Sequence, residues 1–202
     1  MTSPDPPSMP RWTWQPHTPG RAAEAQARNW LAAQLGTSAQ ALPLTRDDRQ
    51  RPTLRPPYQG WDCNWSHSGD CLLIALTAQG RVGVDLERLR ARPRALAVSE
   101  RYFTAAETAW LDAQAERDRA FLRLWCAKEA VLKAHGHGLS FGLHRLRFEE
   151  QAGKLRLVDS DPELGAPQEW RLQELAPAPG YVGALAWRPR PGSPADSAGA
   201  PR

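Results

Sequence analysis

Phe121-Leu122-Arg123-Leu124-Trp125-Cys126-Ala127-Lys128-Glu129-Ala130-Val131-Leu132-Lys133 is the segment around which the rest of this chain arranges itself. At 100° per residue, Phe121, Leu124, Trp125, Val131 and Leu132 make one apolar stripe of a helix, and Lys128 falls in the middle of it. Glu129 and Lys133 stand one turn apart at the stripe's edge, where a carboxylate and an ammonium can touch or converge on a third group. The chain has 26 basic residues but lysine only at 128, 133 and 154, so most of its few lysines lie in this helix. Arginine is a planar fork and lysine a compact, movable point charge, and lysine here points to a need for the latter. The plainer alternative is a surface pair plus a lysine that snorkels out of the core. The helix by itself leaves both open.

Outward from this helix, His135-Gly136-His137-Gly138 supplies a glycine stop near Ala134. Upstream, Thr104-Ala105-Ala106-Glu107 fits a capping box that opens a helix to about Ala115. Residues 89–99 read as an arginine- and proline-containing connection, and Ser99 to Phe103 lead from it into that cap. Downstream the pattern is an antiparallel meander: Leu146 and Phe148, Leu155 and Leu157, Trp170 and Leu172, then Tyr181 to Trp187 after Pro179-Gly180. In Arg81-Val82-Gly83-Val84-Asp85-Leu86-Glu87 the apolar residues point one way and Asp85 and Glu87 the other, about 7 Å apart at a strand rise of about 3.3 Å. Two carboxylates on one face can share a hard cation such as Mg²⁺; they can equally be the solvent face of a half-buried strand.

The N-terminal part is less regular. Arg21 to Leu35 is an unbroken helical segment, with Ala27, Trp30, Leu31 and Leu35 at helical spacing and Gly36 at the C-cap position. Arg49-Gln50-Arg51-Pro52-Thr53-Leu54-Arg55-Pro56-Pro57 reads as a basic loop, either lying along a phosphate or simply solvated. Asn64 to Asp70 reads as a turn in which Ser66 and Ser68 flank His67, able to offer donors to an anion or to be polar surface. Cys71 to Leu76 is a buried strand. Helix followed by strands thus occurs twice, once on each side of Glu87, an α+β pattern.

Composition narrows the possible functions. With 202 residues, 41% of them hydrophobic, the chain can bury a real core. Residues 1–20 carry prolines at 4, 6, 7, 10, 16 and 19, and residues 188–202 carry four more among Gly, Ser and Ala, so both ends are expected to be disordered or extended. Three cysteines, an odd number without CxxC spacing, argue against a disulfide framework and a thiolate zinc site, and for a reduced, cytoplasmic protein. No apolar run approaches 18 residues and no hydrophobic signal core opens the chain, so neither membrane spanning nor secretion is expected. The net charge of +4 and pI near 9.3 favour an acidic partner or a phosphorylated ligand. Arginines scattered from Arg11 to Arg202, without a stripe of interleaved aromatics, do not suit a nucleic-acid surface.

In order, Trp65-Ser66-His67-Ser68-Gly69, Val82-Gly83-Val84-Asp85-Leu86-Glu87, Arg101-Tyr102-Phe103, Trp125 to Lys133 and His137-Gly138-Leu139-Ser140 make the chain, from about Arg49 to Trp187, similar to the Sfp-type 4′-phosphopantetheinyl transferases. The resemblance implies the fold of that family: two similar α/β halves about a pseudo-twofold axis, here residues 21–88 and 89–187 between disordered tails 1–20 and 188–202. It also implies an enzyme of the holo-[acyl-carrier-protein] synthase type. Such an enzyme moves 4′-phosphopantetheine from coenzyme A to a serine of an apo carrier protein (acyl, polyketide or peptidyl) and releases 3′,5′-ADP. Asp85, Glu87 and Glu129 would hold Mg²⁺ or Mn²⁺, with Asp85, Glu129 and Lys133 as catalytic residues. Coenzyme A would be held by Arg51, where the family has a lysine before proline, by Ser66, His67 and Lys133, and by Arg21 or Arg28 of the first helix. Lys128 matches a family lysine to which no role attaches. A monomer is expected, since one chain holds both halves of the cleft. The alternative is a catalytically inactive relative that still binds coenzyme A or a carrier.

Overall fold

The computed structural model describes residues 9–78 and 80–190. It contains ten strands: β1 (Arg11–Pro16), β2 (Leu44–Arg46), β3 (Pro52–Leu54), β4 (Trp61–Ser68), β5 (Cys71–Ala78), β6 (Gly80–Arg88), β7 (Leu146–Gln151), β8 (Lys154–Ser160), β9 (Arg171–Leu175) and β10 (Tyr181–Pro189). Four α-helices accompany them: α1 (Ala23–Leu35), α2 (Ala95–Tyr102), α3 (Ala105–Asp112) and α4 (Arg117–His135). The fold class is α+β, as the sequence pattern implies. Its centre is a stack of four layers: α1, the sheet β1-β5-β4, the sheet β6-β10-β9, and α4.

Period-two patterning builds the stack. Leu72, Ile74 and Leu76 of β5 face α1 and pack on Ala27 and Leu31, while Cys71, Leu73 and Ala75 face the second sheet and meet Val82, Val84, Leu86 and Leu185. β5 is therefore buried on both faces, which is why it reads as a continuous apolar run. On the far side of the second sheet, Val182, Ala184 and Ala186 of β10 pack against α4. The other flank of α4 is covered by Phe103, Leu111, Phe148 and Leu155 from α2–α3 and the β7–β8 hairpin. Both long helices end as their glycines dictate, with Gly36 and Gly136 in the left-handed region at φ 68° and 102°.

The two sheets meet along β4 and β6 by side chains. β10 satisfies one edge of β6. On the other edge, the N–H of Val82 donates to Asp62 Oδ2 at 2.8 Å, that of Val84 to Asn64 Oδ1 at 3.0 Å and that of Arg88 to Ser68 Oγ at 3.1 Å. Asp62, Asn64, Ser66 and Ser68 alternate along β4, so a polar row stands where a further strand would pair. Arg51 locks this seam: all five of its N–H donors are engaged, by Lys133 O (3.0 Å), Pro52 O (3.3 Å), Asp62 Oδ1 (2.7 Å), Asp62 Oδ2 (2.6 Å) and Val82 O (3.0 Å).

Several expectations are corrected. Residues 11–16 of the supposed N-terminal tail form β1, because their N–H and C=O groups have β5 as a partner from Arg11↔Leu76 to Pro16↔Cys71. Residues 188 and 189, expected in the C-terminal tail, belong to β10; residues 1–8 and 191–202 lie outside the described residues. β6, which the division at residues 88 and 89 assigns to the N-terminal half, pairs with β10 in the second sheet. Asn64 to Ser68 is strand and not turn, and α2 occupies part of the expected connection. Part of the basic loop, Pro52–Leu54, pairs with β2.

The centred lysine of the opening helix is structural. Lys128 is completely buried, 2.8 Å from Glu107 Oε1, and donates to the carbonyls of Leu143 and Leu146. Burial pushes it down to about 8 against the pull of Glu107. The same Glu107 closes the capping box with Thr104 and accepts the N–H of Phe148, so one carboxylate joins α3, α4 and β7.

Two stability measurements follow. Lys128→Met leaves a buried carboxylate short of its cation and should cost about 3–5 kcal/mol in urea unfolding; a loss below about 1 kcal/mol would remove the structural role given to the pair. Gly83 has no room for a side chain, since a Cβ there would stand 2.1 Å from Ala130 O and 2.5 Å from Ala134 N. Gly83→Ala should therefore lower stability by about 1–3 kcal/mol or more, and an unchanged midpoint would mean that α4 does not lie so close to β6.

Candidate active site

The close approach of α4 to β6 brings together side chains from three elements, β4, β6 and α4. Asp85, on the α4 face of β6, is buried. Its Oδ1 accepts from Lys133 Nζ at 2.6 Å and from Ser66 Oγ at 2.9 Å, and Lys133 Nζ also donates to Ser66 Oγ at 3.2 Å. β4, β6 and α4 thus close a Ser–Asp–Lys triangle. Its other oxygen, Asp85 Oδ2, is buried and without a partner, and so is Oε1 of Glu129 one turn before Lys133. Glu87 takes a hydrogen bond from Arg92 at 2.8 Å and from Ser68 Oγ at 3.3 Å.

The electrostatics reflect this crowding. Burial pushes Glu129 up to about 7, Asp85 and then Glu87 add to the rise, and Lys133 opposes it. Burial works against the charge of Lys133, but Asp85 and Glu129 override it and hold the ammonium above its ordinary value. Cys126 Sγ is buried on the same helix, and burial together with Asp85 raises its thiol well above the usual range.

The sequence-predicted carboxylates are neighbours, yet among the described residues no three His, Cys, Asp or Glu side chains converge closely enough to hold a metal ion. Lys133 takes one oxygen of Asp85, and Arg92 holds Glu87. The donor set nevertheless fits a hard divalent cation: two carboxylate oxygens are buried and unpartnered, and the mutual repulsion that raises Glu129 is of the kind a cation relieves.

Beyond Lys133 lies a cavity of about 230 Å³ lined by Arg46, Arg49, Trp65, Lys133, His137 and Gly138, among others. The basic loop borders this cavity through Arg49 and Gln50, and β2 through Arg46. Arg51 also lines this cavity, but with every donor committed it offers no N–H to a phosphate, and its expected nucleotide contact is corrected to a structural one. Arg28 is likewise spent on the carbonyls of Leu42 (2.7 Å) and Leu44 (3.1 Å), while Arg21 is exposed just ahead of α1. His67 is exposed, and burial of its inner edge, His17 and Lys133 lower its basicity. On the other side of Glu87 a cavity of about 370 Å³ is floored by Phe121, Leu122 and Trp125. The seam residues Asp62 and Asn64 were missed by sequence reasoning; their signal was the alternation of polar residues from 62 to 68.

Arg51→Gln separates the two roles of that residue. Removing the guanidinium leaves buried Asp62 with only the Val82 N–H and the more distant Arg81 at 3.8 Å, and should destabilise the fold by about 3 kcal/mol, measured by chemical unfolding. A stable variant with weakened nucleotide binding would restore the phosphate role.

Comparison with known proteins agrees with these features. Residues 81–186 match the model of the 4′-phosphopantetheinyl transferase superfamily. A Synechocystis sp. protein provisionally assigned as a 4′-phosphopantetheinyl transferase is 35% identical over 167 residues, covering 78% of this chain and 66% of the relative. The 4′-phosphopantetheinyl transferase HetI of a Nostoc species is 29% identical, covering 81% and 70%. The 4′-phosphopantetheinyl transferase psf-1 of Bacillus pumilus is 43% identical over 121 residues, covering 57% and 48%. The chain spans two thirds or less of the length of the first and third of these relatives. The match extends over more than half of the chain and takes in β6, α4 and β10, the elements that carry the carboxylates and Lys133: the chain belongs to the 4′-phosphopantetheinyl transferase superfamily.

Proposed function

We propose that this chain transfers 4′-phosphopantetheine from coenzyme A to a serine of an apo carrier protein. The observation that carries this reading is the pair of unpartnered carboxylate oxygens on Asp85 and Glu129 beside Lys133, which itself lines a basic cavity. In the transfer, the serine Oγ forms a bond to the β-phosphorus. The bond from that phosphorus to the bridging oxygen breaks, and 3′,5′-ADP departs with the electron pair. Attack on an already anionic group needs positioning and charge neutralisation more than covalent help.

The residues suit those tasks. Glu129, pushed up to about 7 by burial, can take the serine proton near neutral pH. Lys133 has three N–H groups, two of them engaged by Asp85 and Ser66, which leaves one for a phosphate oxygen. Asp85 keeps Lys133 charged and fixed in place. Arg46 and Arg49 line the part of the cavity suited to the nucleotide, with Ser66 and His67 at its approach, where His67 would meet the 3′-phosphate. The apolar cavity past Glu87 suits the pantetheine arm. Asp85, Glu129 and, after release from Arg92, Glu87 would hold Mg²⁺ or Mn²⁺, which when bound supplies charge neutralisation at the diphosphate. The partner is an apo acyl, polyketide or peptidyl carrier, whose acidic character suits the positive charge of this chain. No helix among the described residues is long and apolar enough to cross a membrane.

The test is direct. Incubated with coenzyme A, Mg²⁺ and an apo carrier, the protein should add one phosphopantetheine, seen by intact-mass spectrometry, and Asp85→Asn and Glu129→Gln should each slow this by about a hundredfold or more. If no carrier of the three classes gains mass while coenzyme A still binds, the protein is an inactive coenzyme A-binding relative instead.

A further inference from the structure

Arg92 has no task in that reaction, yet its side chain is spent on one of the three carboxylates. Its Nη2 donates to Glu87 Oε2 at 2.8 Å, the same oxygen that accepts from Ser68 Oγ at 3.3 Å. Arginine alternates with other residues from 88 to 94, and Arg88, Arg90 and Arg94 are exposed. Arg92 instead turns inward, its side chain 26% exposed and that of Glu87 23%.

The contact is an incomplete one. A guanidinium has five N–H groups. Among the described residues Arg92 places one of them on an acceptor, and its Nε is buried with none. A buried donor without a partner costs part of what the pairing contributes, and a partly exposed ion pair contributes little at the outset. Arg51 is the opposite case, with all five donors engaged and its partner Asp62 buried. Arg51 is fixed, whereas Arg92 is held by a single carboxylate oxygen.

The surroundings let that side chain leave. The backbone around it is pinned, since the N–H of Leu89 donates to Gly180 O and that of Ala95 to Arg92 O, both at 2.8 Å, so exchange requires side-chain rotation alone. Arg92 borders the cavity of about 370 Å³ beside Glu87 and also a larger one of about 550 Å³, which Arg90, Glu116 and Asp118 help to line. Space and two carboxylates are therefore available on the side away from Glu87. A divalent cation takes hard carboxylate oxygens as its preferred ligands, and a weakly held guanidinium is a poor rival for them. Lys133 counters Asp85 as part of the reaction given above, while Arg92 counters Glu87 and does nothing else there.

We propose that Arg92 is an exchangeable counter-ion of Glu87, which competes with the divalent cation for that carboxylate and so sets the cation concentration at which the site fills, an inference that rests on the cation site given above and deepens it. Arg92 is a positioning residue that acts through Glu87, and its released guanidinium turns to the larger cavity.

The test is calorimetric titration of Mn²⁺ into the full chain with saturating coenzyme A and no carrier, which reads binding without transfer. Arg92→Gln should bind Mn²⁺ about fivefold more tightly than the wild type, the size of one partly exposed ion pair. Arg92→Met, which keeps the aliphatic stem, should give the same gain and serves where Arg92→Gln fails to fold. Arg94→Gln removes the same charge from an exposed position and should leave the affinity unchanged. In a Glu87→Gln background the gain from Arg92→Gln should vanish, because the carboxylate that is competed for is gone. If Arg92 instead orients Glu87 for the ion, both Arg92 variants bind Mn²⁺ more weakly, and that result or an unchanged affinity overturns the proposal. A gain that persists without the Glu87 carboxylate, or that Arg94→Gln reproduces, overturns it as well, since it reports only the general field of the arginines. Absence of Mn²⁺ binding in every form removes both this proposal and the cation site. A wild type that modifies a carrier while the Arg92 variants keep its Mn²⁺ affinity loses this proposal alone, and the expected gain in a protein that modifies no carrier loses the transfer reading alone.

Discussion

The absence of a side chain at Gly83 is the constraint from which the rest of the structure follows. With only a hydrogen there, the backbone of α4 between Ala130 and Ala134 lies directly on β6. Flanking Ala130 and Ala134 on α4, Glu129 and Lys133 are thereby brought beside Asp85, with the charge of Glu87 within range. At an ordinary helix-to-sheet distance, set by side chains on both surfaces, Lys133 Nζ would not stand 2.6 Å from Asp85 Oδ1. One missing methyl group thus turns a packing contact into a site.

The junction between the sheets shows a second economy of chemistry. An apolar junction would have served stability, and Leu73, Ala75, Val84 and Leu185 do form a buried apolar patch. Yet along β4 the side chains of Asp62, Asn64 and Ser68 take over the bonds that another strand would have made with β6. This keeps β4 and β6 apart at their edges, so Ser66 and Ser68 reach Asp85 and Glu87 and the groove between them stays polar. Arg51 and Asp62 stabilise the arrangement through a bidentate buried pair, with Asp62 outweighing the desolvation that acts against the guanidinium. Tyr181 donates to Asp70 and joins β10 to the turn after β4.

Two lysines five positions apart on one helix divide the labour. Lys128 is enclosed by Glu107, two carbonyls and the rings of Phe103 and Phe148, and all of its charge is spent on holding α3, α4 and β7 together. Lys133 keeps a quarter of its side chain exposed and reaches the groove. The carboxylates beside it are incompletely satisfied, and uncompensated polar atoms in an otherwise well-bonded interior are the mark of a place that accepts a ligand.

Local patterning was enough for the sequence alone to determine much of this protein. The helical period from Phe121 to Lys133, the capping box at Thr104 and Glu107, the glycine stops at 36 and 136, and the alternation through Asp85 and Glu87 each depend on residues within a few positions of one another, and all are present as read. That Asp85 and Lys133 become neighbours followed from motif order and spacing, which survive in the linear chain. Only the tertiary structure decided that residues 11–16 are a strand, that Asn64 to Ser68 continues one, that Arg51 belongs to Asp62 and not to a phosphate, and that Lys128 pairs with Glu107. The physical reason is the same each time: an edge strand or a buried charge takes its identity from the partner that satisfies it, and those partners lie far away along the chain.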